Sequence, residues 1–482
     1  MKKMTANEIA HVLSGELYGI SGDVELSAGV VTDSRQVAPG DIFVARRGEH
    51  ADGIDFASAA IDAGAALIIA EAVPTVEGEY LPTVHVSDAT TALGELARHS
   101  VEGLRTEGEL TVVAITGSAG KTTVKDLISD VLSGQKETVW PPNSYNNEVG
   151  VPLTALRATE TTRFLVVEMG ARSSGNLTYL TSLVRPDIGV ELNVGTAHSG
   201  IFGSVENTAR AKAELVNSLR PGGWAVLNAN DQRVADMHEN LAEGVHVLWF
   251  SAVETGRMPL VWASDVVTDA SGMPSFTLHV PESEPVSVEL ALLGEHNVSN
   301  ALAAAAVAHL CGVETKAIAT TLSTSGAASR WRMELVDSPQ GVTVINDAYN
   351  ANPDSMRASL KTLATMGRGD EQHASRKTVA VLGEMLELGD DSASAHDEIG
   401  RLVVRLNIDR TIVVGEGARP IYTAASHEGS WGNEAVWVPS VADARELLNS
   451  ELGGGEIVLF KSSHDAGLRY LGDEIAGVSL TS

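Results

Sequence analysis

Residues 111–132 read TVVAIT-GSAGKTT-VKDLISDVL. The first six are a β-branched apolar run too short for a helix. The last nine carry Val124, Leu127, Ile128, Val131 and Leu132 at spacings of 3, 4, 7 and 8, one apolar face of a helix. Between them lie two glycines that let the backbone wrap a small anion. A strand that turns through such a loop into a helix presents backbone N–H groups and a positive helix end to one point. Phosphate fits there. In this reading Gly117, Ser118, Ala119, Gly120, Lys121, Thr122 and Thr123 form a phosphate-binding loop, with Lys121 reaching the terminal phosphates and Thr122 able to ligate Mg²⁺. Ile115 stands where the first glycine of the usual GxxxxGK[ST] spacing would be, so the loop is a shortened one. A plain strand-to-helix turn with a surface lysine is the other reading, and the flanking strand and helix count against it.

The rest of the chain is organised around that unit. Its 482 residues, 44% of them apolar and 20% charged, are enough for roughly three domains of ordinary size. Residues 1–107 alternate short strands and helices, as in FASAAIDAGAALIIA, and the polar stretch VEGLRTEGEL closes them. Residues 108–327 hold the short buried strands TVVAIT, FLVVEM, DIGVELNV and WAVLN between helix-like segments, the pattern of a parallel sheet with crossover helices. Within them 245–293 (VHVLWF, SFTLHV, VSVELALL) lacks helical period and predicts an antiparallel β excursion. After STSGAASRWR the alternation restarts through VTVIND, TVAVLG, RTIVVG and EIVLFK, predicting a further doubly wound domain over 328–482. The expected fold class is α/β in three domains: a central P-loop-type parallel-sheet ATPase domain follows a small α/β domain and precedes a C-terminal Rossmann-like one.

Charge and cysteine usage narrow the partners. With 34 basic against 63 acidic residues the formal charge is −29, so the average surface repels nucleic acid and anionic lipid. An anionic substrate has to be gathered by local cations, helix N-termini or metal. The single cysteine, Cys311, excludes a disulfide framework and a thiolate metal cage. MKKMTANEIAHVLSGEL has no apolar signal core and no run approaches a membrane span. A cytoplasmic protein is expected, without membrane insertion.

Three further residues stand where a metal site would need them. Glu168 ends the otherwise apolar strand FLVVEM, at the carboxyl tip where ligands bind in such sheets, and is a natural Mg²⁺ ligand. His198 follows DIGVELNVG in the equivalent place; alone it reads as a loop histidine, beside Glu168 as a candidate for a second metal. Lys212 shares a helical stripe with Val205, Ala209, Val216 and Leu219. Either it snorkels, or it is buried with a depressed pKa and able to take up CO₂ as a metal-binding carbamate.

Taken in order, GSAGKTT, YNNEVGVPLT, VVEMGA, NVGTAH, AKAEL, LNAND, GEHNVSNALAAAA and INDAYNANPDSM resemble the Mur ligase family along nearly the whole chain. The resemblance implies ATP and Mg²⁺ as cofactors and amide formation through an acyl-phosphate. DAYNANPDSM and LGEMLELG point within the family to the step that adds D-alanyl-D-alanine to UDP-N-acetylmuramoyl-tripeptide; the DNPR signature of third-residue addition is missing. Implied roles follow. Lys121 and the 117–123 loop hold phosphates, Thr122 and Glu168 one Mg²⁺, His198 and carbamylated Lys212 a second. Asn146 and Asn147 lie against nucleotide and metal; His296, Asn297 and Asn300 border the adenine. Arg332 and Asp347 complete the ATP site, with Arg330 as the alternative arginine, and Lys121, Lys212, His198 and Arg332 carry the catalysis.

For the substrates, Asp33, Ser34 and Arg35 match the uridine-nucleotide loop, Arg35 offering a planar fork to an anion, although Asp-Ser chemistry also suits a capped turn. Tyr349, Asn350, Asn352 and Ser355 stand at a strand-to-helix turn suited to a dipeptide, where Asn-Pro is also an ordinary helix start. Near the end, KSSHDAG has His464 and Asp465 where a basic residue is expected. The chain is expected to be monomeric. The alternatives are another family ligase, of the third-residue-adding or folylpolyglutamate type, and a P-loop ATP switch without catalysis, against which Lys212, Glu168 and His198 count.

Overall fold

The structure, a computed structural model, describes residues 1–48, 51–195, 202–370, 374–429 and 434–478. Three sheets carry the chain. The first has strand order Glu16–Tyr18, Thr83–His85, Leu67–Ala70, Ile42–Ala45, Val30–Val31, with only the first pair antiparallel. Ile42–Ala45 and Leu67–Ala70 are buried throughout, as strands covered on both faces must be.

The middle sheet has nine strands. Thr111–Thr116 lies at its heart between Phe164–Glu168 and Ile188–Glu191, parallel to both, with Ile115 beside Glu168 and Thr116 beside Glu191. Trp224–Asn228, His246–Ser251 and Leu260–Thr268 continue in parallel. Only Pro274–His279 runs against them, pairing antiparallel with Leu260–Thr268 on one side and Val286–Glu289 on the other. The expected antiparallel excursion over 245–293 is therefore half right. VHVLWF extends the parallel sheet, and its alternation could not say so because strand direction leaves no trace in side-chain period.

Large apolar cores line both faces of this sheet. On one, the helix Ala89–Glu107 packs Leu93, Leu96, Ala97, Val101 and Leu104 against Val112, Ala114, Leu165 and Val167, in the same cluster as Ile42, Leu67 and Val84 of the first sheet. That long helix joins two sheets into one core. On the other face, Lys121–Ser133 and the alanine-rich His296–Leu310 pack together with Val113, Ile115 and Val190. A helix apolar around nearly its whole circumference has to be buried, and small side chains let its axis approach its neighbours closely.

The third sheet runs Glu334–Asp337, Thr343–Asn346, Ile457–Lys461, Thr378–Leu382, Arg410–Val414, Ala435–Val438, parallel except for its first pair. Its antiparallel edge strand was not legible in the sequence, since Glu334–Asp337 is half exposed and polar. Among the described residues no helix is long and apolar enough to cross a membrane.

The linker into this third sheet is anchored by a buried carboxylate. Asp473, 2% exposed, accepts from Arg330 Nη2 at 2.8 Å, Trp331 Nε1 at 3.0 Å and Asn346 Nδ2 at 3.0 Å. Asp473→Ala leaves the part-buried Trp331 indole N–H without its acceptor and takes one of two acceptors from the buried Asn346 amide. It is expected to lower unfolding stability by about 2–3 kcal/mol, read as an earlier urea transition in tryptophan fluorescence.

Candidate active site

Gly120 caps the helix Lys121–Ser133 in the left-handed conformation, φ +84°, and a Cβ there would stand 2.5 Å from Asn300 Oδ1. Only glycine lets the loop turn against that helix. Asn193 braces the other side: its carbonyl accepts from Ser118 N at 3.0 Å and its Oδ1 from Ala119 N at 2.9 Å. Lys121 folds back so that Nζ donates to Gly117 O at 2.9 Å, within reach of whatever the loop encloses.

Glu168 sits 1% exposed at the tip of its strand, and three side chains from two segments converge on it. Thr122 Oγ1 donates to Oε2 at 2.9 Å; Ser144 Oγ and Asn146 Nδ2 donate to Oε1 at 2.6 and 2.9 Å. Burial pushes its pKa up, but Lys121 and Arg332, with the Ser144 and Asn146 donors, outweigh this and hold it below the ordinary carboxylate value. An ionised carboxylate beside a threonine hydroxyl, open to a cavity, is a donor set suited to Mg²⁺, which takes one or two carboxylates and completes its shell with phosphate and water. Among the described residues no group of three or more His, Cys, Asp or Glu forms a closed metal cage. His198 lies outside the described residues.

Lys212 is 3% exposed, which rules out the snorkelling reading. Burial, with Lys121 adding to it and Glu191 opposing, brings its pKa down to about 7. Glu191 is wholly buried with no hydrogen-bond partner for either oxygen among the described residues, and burial drives its pKa well above the ordinary value against the pull of Lys212.

From the third sheet, Arg332 lies over the Tyr349 ring, its Cζ 4.3 Å from the centroid. Arg330, the alternative, is spent on Glu334 and Asp473. Asp347 accepts from Met333 N at 3.1 Å and Ser359 Oγ at 2.6 Å and pairs with Lys461 at 2.7 Å. Lys461 also donates to Asn350 O at 2.8 Å. Asn352 and Ser355 form a reciprocal capping box at the start of Pro353–Arg368, so the ordinary helix start is present; Asn352 Nδ2 also reaches Ser118 O at 3.4 Å.

One cavity of about 1760 Å³ holds nearly all of these groups. Its wall includes Ser118–Thr123, Asn146, Asn147, Glu168, Lys212, His296, Asn297, Asn300, Arg332, Asp347, Tyr349, Asn350, Asn352 and Ser355. Inside it Asn147 caps the helix Gly150–Ala155 by accepting from Gly150 N at 2.9 Å, and Asn300 Nδ2 donates to Asn297 Oδ1 at 2.7 Å. Gly117 lies behind the loop. Asp33, Ser34 and Arg35 are not on the wall: Asp33 caps a short turn and Arg35, its side chain 86% exposed, folds onto Asp33. The first domain contributes Thr32, Arg46, Asp88 and Thr90 instead. Arg46 was missed in the sequence. It follows the buried strand Ile42–Ala45 directly, the same carboxyl-tip position that singled out Glu168, and Thr90 Oγ1 fixes its Nε at 3.1 Å.

Three family models match along the chain: Mur ligase family, catalytic domain, over residues 27–101; Mur ligase middle domain over 115–308; and Mur ligase, glutamate ligase domain over 331–464. The chain belongs to the Mur ligase family. It is 41% identical to the UDP-N-acetylmuramoyl-tripeptide–D-alanyl-D-alanine ligase of Mycobacterium leprae, covering 99% of each chain. It is 33% identical to the Escherichia coli enzyme of the same name over 88% of this chain and 89% of that one. A crystal structure of MurF from Acinetobacter baumannii matches with a TM-score of 0.84 at 29% identity, over 98% and 99% of the two chains. MurF from Thermotoga maritima in complex with ADP matches with a TM-score of 0.77 at 26% identity, over 94% and 97%. The three-domain α/β architecture is thus that of a Mur ligase.

In such a ligase Lys121 is held by one local hydrogen bond, to Gly117 O, rather than by core packing. Lys121→Ala is expected to leave the thermal midpoint unchanged while ATP-dependent turnover falls by about 10²–10³-fold, the usual cost of one transition-state donor, measured by phosphate release.

Proposed function

We propose that this chain is the ATP-dependent ligase that joins D-alanyl-D-alanine to UDP-N-acetylmuramoyl-tripeptide, forming ADP, phosphate and an amide in cytoplasmic peptidoglycan precursor synthesis. The observation that carries it is the single cavity in which a phosphate loop, an ionised Glu168 and the Tyr349–Ser355 turn face one another, with Asn352 touching Ser118 across the two domains. We assign residues 1–107 to the nucleotide-sugar, 108–327 to ATP and 328–482 to the dipeptide, in a monomer.

The chemistry runs in two steps. A tripeptide carboxylate oxygen attacks the γ-phosphorus of ATP, the bond to the bridging oxygen breaks, and ADP leaves. The dipeptide amine then attacks the acyl-phosphate carbonyl, phosphate departs, and the amine's proton goes to solvent or phosphate. The protein's share is positioning and charge. Lys121 and Arg332 neutralise the transferring phosphoryl group. His296, Asn297 and Asn300 border the adenine, while Asn146, Asn147 and Asp347 shape the remaining nucleotide site. Thr122 and Glu168 would hold a Mg²⁺, whose chemistry is to offset negative charge on the phosphates. His198 and a carbamylated Lys212 would hold a second. For the nucleotide-sugar, Arg46 stands on the cavity wall and the Asp33–Arg35 loop outside it. For the dipeptide, Tyr349 and Asn350 line the third-domain wall, with Asn352 and Ser355 setting its helix start. Nucleic acid has no place in this scheme.

The direct test incubates the protein with ATP, Mg²⁺, UDP-N-acetylmuramoyl-tripeptide and D-alanyl-D-alanine. The expected product mass is the sum of both substrates less one water, formed only when all components are present. ATP consumption independent of the dipeptide would reject the assignment.

Lys212 gives a second test. A neutral amine adds CO₂ and releases a proton, turning a buried cation into a carboxylate-like anion. Lys212→Ala is expected to lose about a hundredfold or more in ligation, and short carboxylic acids should partly restore it. Lys212→Arg should not respond, because a guanidinium fills the space and keeps its charge. A carbamate resonance in ¹³C-bicarbonate-treated wild type, missing in Lys212→Ala, is the accompanying readout.

A further inference from the structure

The loop that follows the strand Thr378–Leu382 reaches the cavity and is held there with unusual firmness. Met385 N donates to Nε2 of the fully buried His396 at 2.9 Å, and the other ring nitrogen of His396 meets Ser392 O at 2.7 Å. Leu386 N donates to Ser463 Oγ at 2.9 Å, and Ser463 N returns a bond to Glu384 O at 2.9 Å. Glu387 adopts φ +63°, a left-handed conformation that non-glycine residues take up only under constraint. The result is a leucine side chain 39% exposed on the cavity wall. Its backbone is pinned from both sides while its side chain stays exposed to the cavity, so burial in a core does not account for its placement.

Much of the rest of that wall is polar or charged, and apolar members such as Leu127, Leu180, Leu292 and Met333 are buried. Among the described lining residues the other exposed large apolar side chains are Tyr145 and Tyr179, both in the middle domain. Among the described lining residues Leu386 is thus the exposed large aliphatic side chain on the third-domain side, where Met333 is buried. From it a continuous surface leads to the reacting centre. Ser463 precedes His464, whose ring meets Tyr349 edge-on at 5.6 Å; Arg332 lies over Tyr349; and Asn352 touches the phosphate loop.

An acceptor dipeptide of two D-alanines offers an amine, an amide, a carboxylate and two methyl groups. The polar groups are common to every dipeptide, so only the methyls can distinguish it from glycyl analogues. We propose that Leu386 is a specificity-determining residue of the ligation, the apolar wall against which a D-alanyl methyl of the acceptor packs. This rests on the ligase activity proposed above. Polar neighbours orient the acceptor, and Leu386 reads its side chain.

The test measures kcat/KM of the full-length protein for D-Ala-D-Ala, Gly-D-Ala and D-Ala-Gly, with saturating ATP and nucleotide-sugar, in wild type, Leu386→Ser and Leu386→Met. In the serine variant the preference for D-Ala-D-Ala over one of the glycyl dipeptides should fall about tenfold, the low end of what a methyl contributes in an apolar pocket. Methionine, similar in volume and polarity, should restore most of it. KM for ATP and for the nucleotide-sugar should stay unchanged in both variants. Equal preference in wild type and Leu386→Ser overturns the inference while leaving the ligase assignment intact, as does a parallel rise in KM for ATP. Failure of the wild type to ligate any of the three dipeptides overturns both.

Discussion

The burial of an ionised Glu168 is the constraint around which the site is built. A carboxylate taken out of water demands partners, and here they come from two chain segments: Thr122 from the phosphate-loop helix, Ser144 and Asn146 from the segment before Gly150–Ala155. Satisfying that one group fixes the first turn of the helix and the position of the asparagine loop together. The same satisfied state leaves a full negative charge facing the cavity. Apolar packing alone would hold the sheet; it would not put those hydroxyls and amides in register with the loop glycines.

A second set of polar ties governs how the third domain meets the middle one. Lys125, wholly buried, donates to Pro141 O at 2.9 Å and pairs with Asp126, and Asp126 in turn accepts from Ser329 Oγ at 2.7 Å. The linker is thus fastened to the phosphate-loop helix at Ser329 and, a residue later, to the third domain through the Arg330–Asp473 pair. Arg332 is left over for the cavity. Two arginines two residues apart end on different tasks because one reaches a buried carboxylate and the other an aromatic face.

Much of this was legible in the sequence because strand tips, loop glycines and helix periods are local signals. TVVAIT-GSAGKTT read correctly as strand, loop and helix, and Glu168 and Lys212 were found by being polar where their neighbours are apolar. What escaped depends on contacts distant in the chain. The parallel direction of His246–Ser251 is set by the neighbouring strand, not by its own alternation. Whether Arg35 or Arg46 faces the cavity is decided by Asp33, which captures the first, and by Thr90, which aims the second. Ser144 lies in an unpatterned loop, and its proximity to Glu168 exists only after folding. Glu191 sits in a strand that reads as polar at one position and gave no hint that both its oxygens would lack partners among the described residues.

That last pair bears on the electrostatics of the whole cavity. A chain of charge −29 nonetheless brings Lys121, Lys212, Arg332 and Lys461 to one enclosed wall. Cations so close disfavour one another, and the lysine with least access to water gives way first, which is why Lys121 adds to burial in lowering Lys212. Glu191 could have compensated as a carboxylate. Burial instead pushes it toward the neutral acid, just as it pushes Lys212 toward the neutral amine. Two buried groups each driven to the uncharged form do not make an ion pair. A lysine whose pKa is brought down to about 7 offers its neutral amine to that cavity near neutral pH, and an anion formed on the nitrogen would be drawn to Lys121.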